Sequence, residues 1–184
     1  MRNVYMCSWD SLDVSKGIQN EVDKMLKNLD DDFNADGRDI FIVTIFNDIN
    51  SVSSSDYGEY KETINKKIRN GRALFSEISL ESPQKQFTPN KFFRDISKLF
   101  QNEDRIYMNL SGLPTSYALA MYLAALYVAQ TTQNTSIEQL IYSSGKESVC
   151  DISGLAYIGQ MLGFMKEGER TAYDMHFNMI LEES

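Results

Sequence analysis

The chain predicts an α/β domain built on a doubly wound, mainly parallel sheet, with an antiparallel hairpin strand toward its C-terminal side. Three observations carry that expectation. Apolar, β-branched runs alternate with segments of helical period along most of the chain. Residues 40–46 (IFIVTIF) are almost continuously apolar, as a central parallel strand covered on both faces requires. Residues 106–129 pass from a short apolar run through a small polar loop into the uncharged segment 117–129, the order of strand, tight turn and buried helix.

The elements follow in sequence. Residues 3–8 (NVYMCS) form a short apolar strand. Val14, Ile18, Val22, Met25, Leu26 and Leu29 then recur at helical spacing, with Asp13 as the expected N-cap. Asp30-Asp31-Asp32 belongs to a solvated loop before the strand at 40–46. The ends of Asp56-Tyr57-Gly58-Glu59 have capping-box spacing; Tyr60, Ile64 and Ile68 continue the helix, and Gly71 closes it. Residues 75–80 (FSEISL) alternate, as a strand with one less buried face does. Thr88-Pro89 opens the next helix, whose inner face is Phe92, Phe93, Ile96, Leu99 and Phe100. Strand four is 106–110, and Pro114 suits the first turn of the helix after it. Residues 137–142 make a fifth strand, and a turn at Ser143-Ser144-Gly145-Lys146 leads to a short antiparallel strand over 148–152. Beyond it, residues 153–184 form an extension packing on the first domain, 1–152, or on a partner; the glycines from Gly154 to Gly168 leave its structural type open, with a last amphipathic element at 171–181.

Bulk properties narrow the function. A net charge of −8 argues against a duplex nucleic-acid binder, which needs a basic face. The same acidity also serves solubility. Cys7 and Cys150 lie in apolar strand-like runs, so two buried thiols are expected rather than a disulfide framework. With no signal-like segment and no apolar helix approaching the ~20 residues of a membrane span, the expectation is a soluble, cytoplasmic protein.

The chemistry is first a matter of exclusion. His176 is the only histidine, which disfavours a Ser–His triad, and no cluster of Cys or His offers zinc ligands. Neither GxxxxGK[ST] nor GxGxxG occurs in the required context. In a parallel sheet, however, the loops after strands one and four emerge at one edge, where strand ends and helix N-termini offer unpaired donors to anions. Ser8, Ser11, Ser111, Thr115 and Ser116 supply hydroxyls, and Asp10 or Asn109 suits a ribose hydroxyl or a base edge. Trp9 either stacks on a base or packs on a neighbouring helix. Lys146 either reaches an anionic ligand or is a solvated turn residue.

These two loops resemble those of the CARF (CRISPR-associated Rossmann-fold) ligand-sensing domains. Met6-Cys7-Ser8-Trp9-Asp10-Ser11 would occupy the small-residue motif ending the first strand, and Asn109-Leu110-Ser111-Gly112-Leu113 matches the polar-hydroxyl-glycine turn after the fourth. The likeness spans residues 3–152. Ser8 stands where glycine is common, and Pro114-Thr115 replaces a basic or amide residue, so a contact made there would come from Lys146 instead. The resemblance implies a Rossmann-like homodimer that binds a cyclic oligoadenylate, the second messenger of type III CRISPR antiviral signalling. Its ligand-binding residues would be Ser8, Trp9, Asp10, Ser11, Asn109, Ser111, Gly112, Leu113, Pro114, Thr115, Ser116 and Lys146. It also implies a possible ring nuclease activity in which a ligand 2′-hydroxyl attacks the adjacent phosphate without metal or other cofactor, with Ser8, Ser11 and Lys146 positioning and stabilising charge. The alternatives are a regulator or sponge that binds without cleaving, and an unrelated α/β oligomerisation domain.

Overall fold

The computed structural model describes residues 2–29, 38–46, 53–80, 89–143 and 149–164. They form an α/β fold around one six-stranded sheet: β1 (Arg2–Ser8), β2 (Ile40–Phe46), β3 (Leu74–Leu80), β4 (Asp104–Asn109), β5 (Ser136–Tyr142) and β6 (Cys150–Asp151). The spatial order is β3-β2-β1-β4-β5-β6, a Rossmann-like arrangement; β1 to β5 are parallel, and β6 pairs antiparallel with β5.

Among the described residues, five α-helices connect and cover the sheet: α1 (Ile18–Leu29), α2 (Ser54–Lys67), α3 (Pro89–Ser97), α4 (Thr115–Thr131) and α5 (Ser153–Phe164). Strand periodicity sorts the core into two. Val4, Met6, Ile40, Ile42, Ile106 and Met108 meet α3, α4 and α5 on one face. Tyr5, Cys7, Phe41 and Val43 meet α1 and α2 on the other. The middles of β1 and β2 are therefore buried on both faces, which is why residues 4–7 and 40–43 read as apolar runs. Register stacks Tyr107, Tyr5, Phe41 and Phe75 across four strands, with centroid separations of 5.0, 4.9 and 5.6 Å. Each such ring pair contributes about 0.5–1.5 kcal/mol beyond its buried area.

Several local expectations change. A helix does not start at Asp13: residues 14–16 form a single 3-10 turn, Gly17 takes φ 89°, and α1 begins only at Ile18. The Asp13 side chain makes no cap bond and accepts instead from the Ser15 hydroxyl at 2.7 Å. The N-cap of α2 is Ser53, whose hydroxyl accepts the Asp56 N–H at 3.0 Å, so Asp56 lies inside the first turn; the helix ends at Lys67, before Gly71. Pro114 caps α4 from outside rather than opening it, with φ −56° and ψ 143°. Cys7 is buried as expected, but Cys150 is exposed, because β6 is a two-residue strand at the sheet edge.

The extension after Ile152 begins with α5, whose type the glycines had left open. Ala156 is fully buried in the α3–α4 core, and Gln130 Nε2 donates to the Gly159 carbonyl at 3.2 Å. Gly159 faces α4 so closely that a Cβ there would lie 2.8 Å from the Tyr122 hydroxyl. The element expected at 171–181 lies outside the described residues. No helix among the described residues is long and apolar enough to cross a membrane.

Candidate functional site at the β1–β4 switch point

β1 and β4 are neighbours, yet the chain leaves them toward opposite faces of the sheet, β1 to α1 and β4 to α4. Such a divergence opens a crevice outside the strand ends. The two loops bordering it are stitched locally. Ser8 Oγ accepts the Asp10 N–H at 3.2 Å and lies 3.4 Å from Asp10 Oδ2, while Ser11 Oγ donates to the Ser8 carbonyl at 2.6 Å. In the β4 loop, Asn109 Oδ1 accepts the Ser111 N–H at 2.9 Å, an Asx turn. Ser111 Oγ in turn accepts the Ser143 N–H at 2.9 Å, and Leu110 N–H donates to the Ile141 carbonyl, tying the loop to the end of β5.

Gly112 joins the two loops. Its φ of 75° lies in the left-handed region that glycine tolerates, and its Cα faces the Asp10–Ser11 peptide. A Cβ would stand 2.5 Å from the Ser11 nitrogen and 2.7 Å from the Asp10 carbonyl carbon. Only hydrogen fits there.

The resulting cleft is about 270 Å³. Asp10, Ser11, Leu12, Asp13 and Lys16 line it from the β1–α1 segment, Asn109, Ser111 and Gly112 from the β4 loop, and Ser143 and Val149 from the edge beyond β5. Glu21, Lys24, Met25 and Asn28 line it from α1. Glu21 Oε2 accepts the Asp13 N–H at 3.0 Å, and Lys16 Nζ lies 3.5 Å from Asp13 Oδ2. With Ser111 holding Asn109 Oδ1, the Asn109 amide nitrogen is the part of that side chain left to a ligand.

An aromatic bed supports the β1 loop from below. Trp9, 4% exposed, meets Tyr57 and Tyr60 edge-on at 5.9 and 5.7 Å. Tyr60 OH lies 3.5 Å from Cys7 Sγ. Burial pushes the Cys7 thiol up to about 11, a shift the Tyr60 hydrogen bond only partly opposes. Burial, aided by the charges of Glu77 and Cys7, pushes the Tyr57 phenol up to about 12. Cys7 is thus a protonated, inert thiol at neutral pH.

Of the residues singled out in the sequence, Asp10, Ser11, Asn109, Ser111 and Gly112 come together around the cleft. Ser8 is fully buried beneath it, and Trp9 packs on the tyrosines of α2 rather than lining it. Leu113 and Pro114 are half-buried, and Thr115 and Ser116 are exposed at the start of α4; none of the four lines the cleft. Lys146 lies outside the described residues. The α1 contribution, Glu21, Lys24 and Asn28, was not anticipated. Its i, i+3, i+7 spacing marks one helix stripe, but a polar stripe reads in sequence as a solvated face. No family model matches the chain, and no curated protein resembles it at a significant level.

Proposed function

We propose that this chain is a CARF-type sensor whose β1–β4 cleft binds a cyclic oligoadenylate. The observation that carries the reading is the backbone contact of Gly112 with the Asp10–Ser11 peptide, which makes one preorganised wall from the two loops. Asp10 offers a carboxylate to ribose hydroxyls or the adenine amine, and the Asn109 amide offers a donor to a base edge. A homodimer would present each wall twice to a symmetric ring. Support for that partner comes from α4, which carries no charged residue and leaves Leu119, Leu123 and Tyr127 about half exposed at i, i+4 and i+8.

Sensing without cleavage is the reading favoured over ring nuclease activity. Ser8 is inaccessible, and the Ser11 hydroxyl is already donated to the Ser8 carbonyl, so neither is spare for aligning an attacking 2′-hydroxyl. Titration with cyclic tetra- and hexa-adenylate, followed by chromatography of the mixtures, tests both points. Tight binding with intact ligand is the expected result. Linear products would restore the ring nuclease reading, and no binding at micromolar concentration would overturn the sensor reading itself.

A further inference from the structure

We infer that the ligand's phosphate is held by the α1 wall of the cleft, through Lys24, and not by the start of α4; this rests on the reading that the cleft takes an anionic nucleotide. Among the described residues, the loops after β1 and β4 offer no cation at the strand ends that is not already beside a carboxylate. Among the described lining residues there, Asp10 and Asp13 are anionic, Lys16 is cationic but lies beside Asp13, and the others are neutral. The first residues of α4, Thr115 and Ser116, lie outside the lining.

Two cations stand among the described lining residues, Lys16 and Lys24. Lys16 is 3.5 Å from the Asp13 carboxylate, so its charge is already partly answered. Lys24 lies on exposed helix surface and forms no ion pair among the described residues. Its neighbour one turn earlier, Glu21, is engaged by accepting the Asp13 N–H at 3.0 Å. Asn28 follows on the same stripe with further amide donors.

The cleft is therefore polarised. A ligand enters with hydroxyl or amine donors toward Asp10 and with its phosphodiester toward Lys24 and Asn28. The ligand class is one in which sugar or base donors and an anionic group lie on opposite sides of the bound unit, as in each nucleotide of an oligonucleotide ring. A free mononucleotide with the same polarity would satisfy the same groups.

The test compares wild type, Lys24→Gln and Lys24→Arg, using cyclic tetra-adenylate and inorganic triphosphate as probes at two salt concentrations. Lys24 is exposed, so these variants fold as wild type does, and circular dichroism checks it. Losing one charge-assisted contact predicts about tenfold weaker ring binding for Lys24→Gln, with the slope of affinity against salt reduced by about one. Lys24→Arg should retain most of the affinity. Ring binding unchanged in Lys24→Gln overturns the α1 assignment and leaves the sensor reading intact. Triphosphate binding that needs Lys24, without ring binding, upholds the anion site and overturns the ring as its ligand. Triphosphate binding that ignores Lys24 without ring binding, or binding of neither probe, overturns both.

Discussion

Gly112 and Ser11, far apart in sequence, meet backbone to backbone: a Cβ on Gly112 would stand 2.5 Å from the Ser11 nitrogen. Because both neighbours are main chain, no rotamer change can relieve the clash. Gly112→Ala should cost about 1–3 kcal/mol through the positive φ and the forced separation of the loops. Urea unfolding gives the stability change, and ligand titration should show a larger loss than stability alone explains. An unchanged unfolding midpoint would refute the close approach.

Trp9 is the chain's only tryptophan, and it is buried against Tyr57 and Tyr60. Its fluorescence should be blue-shifted in the native protein and move to the red on unfolding. Saturating nucleotide should leave the emission nearly unchanged, because the ring does not line the cleft. Strong quenching by direct base stacking would contradict that placement.

The cysteines should behave differently from one another. Cys150 is exposed and should react with a thiol reagent in the native protein, whereas buried Cys7 should react only after unfolding. Cys7 also sets a pH limit. Its pKa rises from an ordinary value of 9.0 to about 11 on folding, so its contribution is complete below pH 9 and is lost as pH climbs toward 11. Tyr57, raised from 10.0 to about 12, adds to the same alkaline fall. Denaturant midpoints measured from pH 7 to 11 should drop across that window, and Cys7→Ala should flatten its lower part. A flat profile in wild type would be inconsistent with a buried neutral thiol.

Leu123 is the middle residue of the exposed α4 stripe, at 43% exposure. If that stripe is the dimer surface, Leu123→Glu should convert the protein to monomer by light scattering. Its stability as a monomer should change by only about 0.5 kcal/mol, as for other exposed sites. A wild-type protein that is monomeric at high micromolar concentration would remove the homodimer from the proposal.

Much of the architecture was legible because burial on both faces leaves a direct mark. A central parallel strand is apolar at nearly every position, so Ile40–Phe46 is legible with the boundaries it has. The helix after β4 is visible in the same way, but its sequence does not mark which side faces outward. Lacking charge, α4 has no polar stripe to reveal that Leu119, Leu123 and Tyr127 face outward. The start of α1 was misplaced because Val14 keeps the apolar period while Gly17, at φ 89°, breaks the helix that the period suggests.

The sequence by itself determined the alternation of strands and helices, the doubly wound class and the two polar loops at strand ends, since each follows from periodicity and turn chemistry within a few residues. Tertiary structure alone decided that β1 and β4 are neighbours, that Gly112 closes on Ser11, and that the Glu21–Lys24–Asn28 stripe of α1 borders the cleft. Those relationships depend on strand order and helix rotation, which long-range packing chooses. One polar side of a helix differs from the other only in what the rest of the chain places beside it.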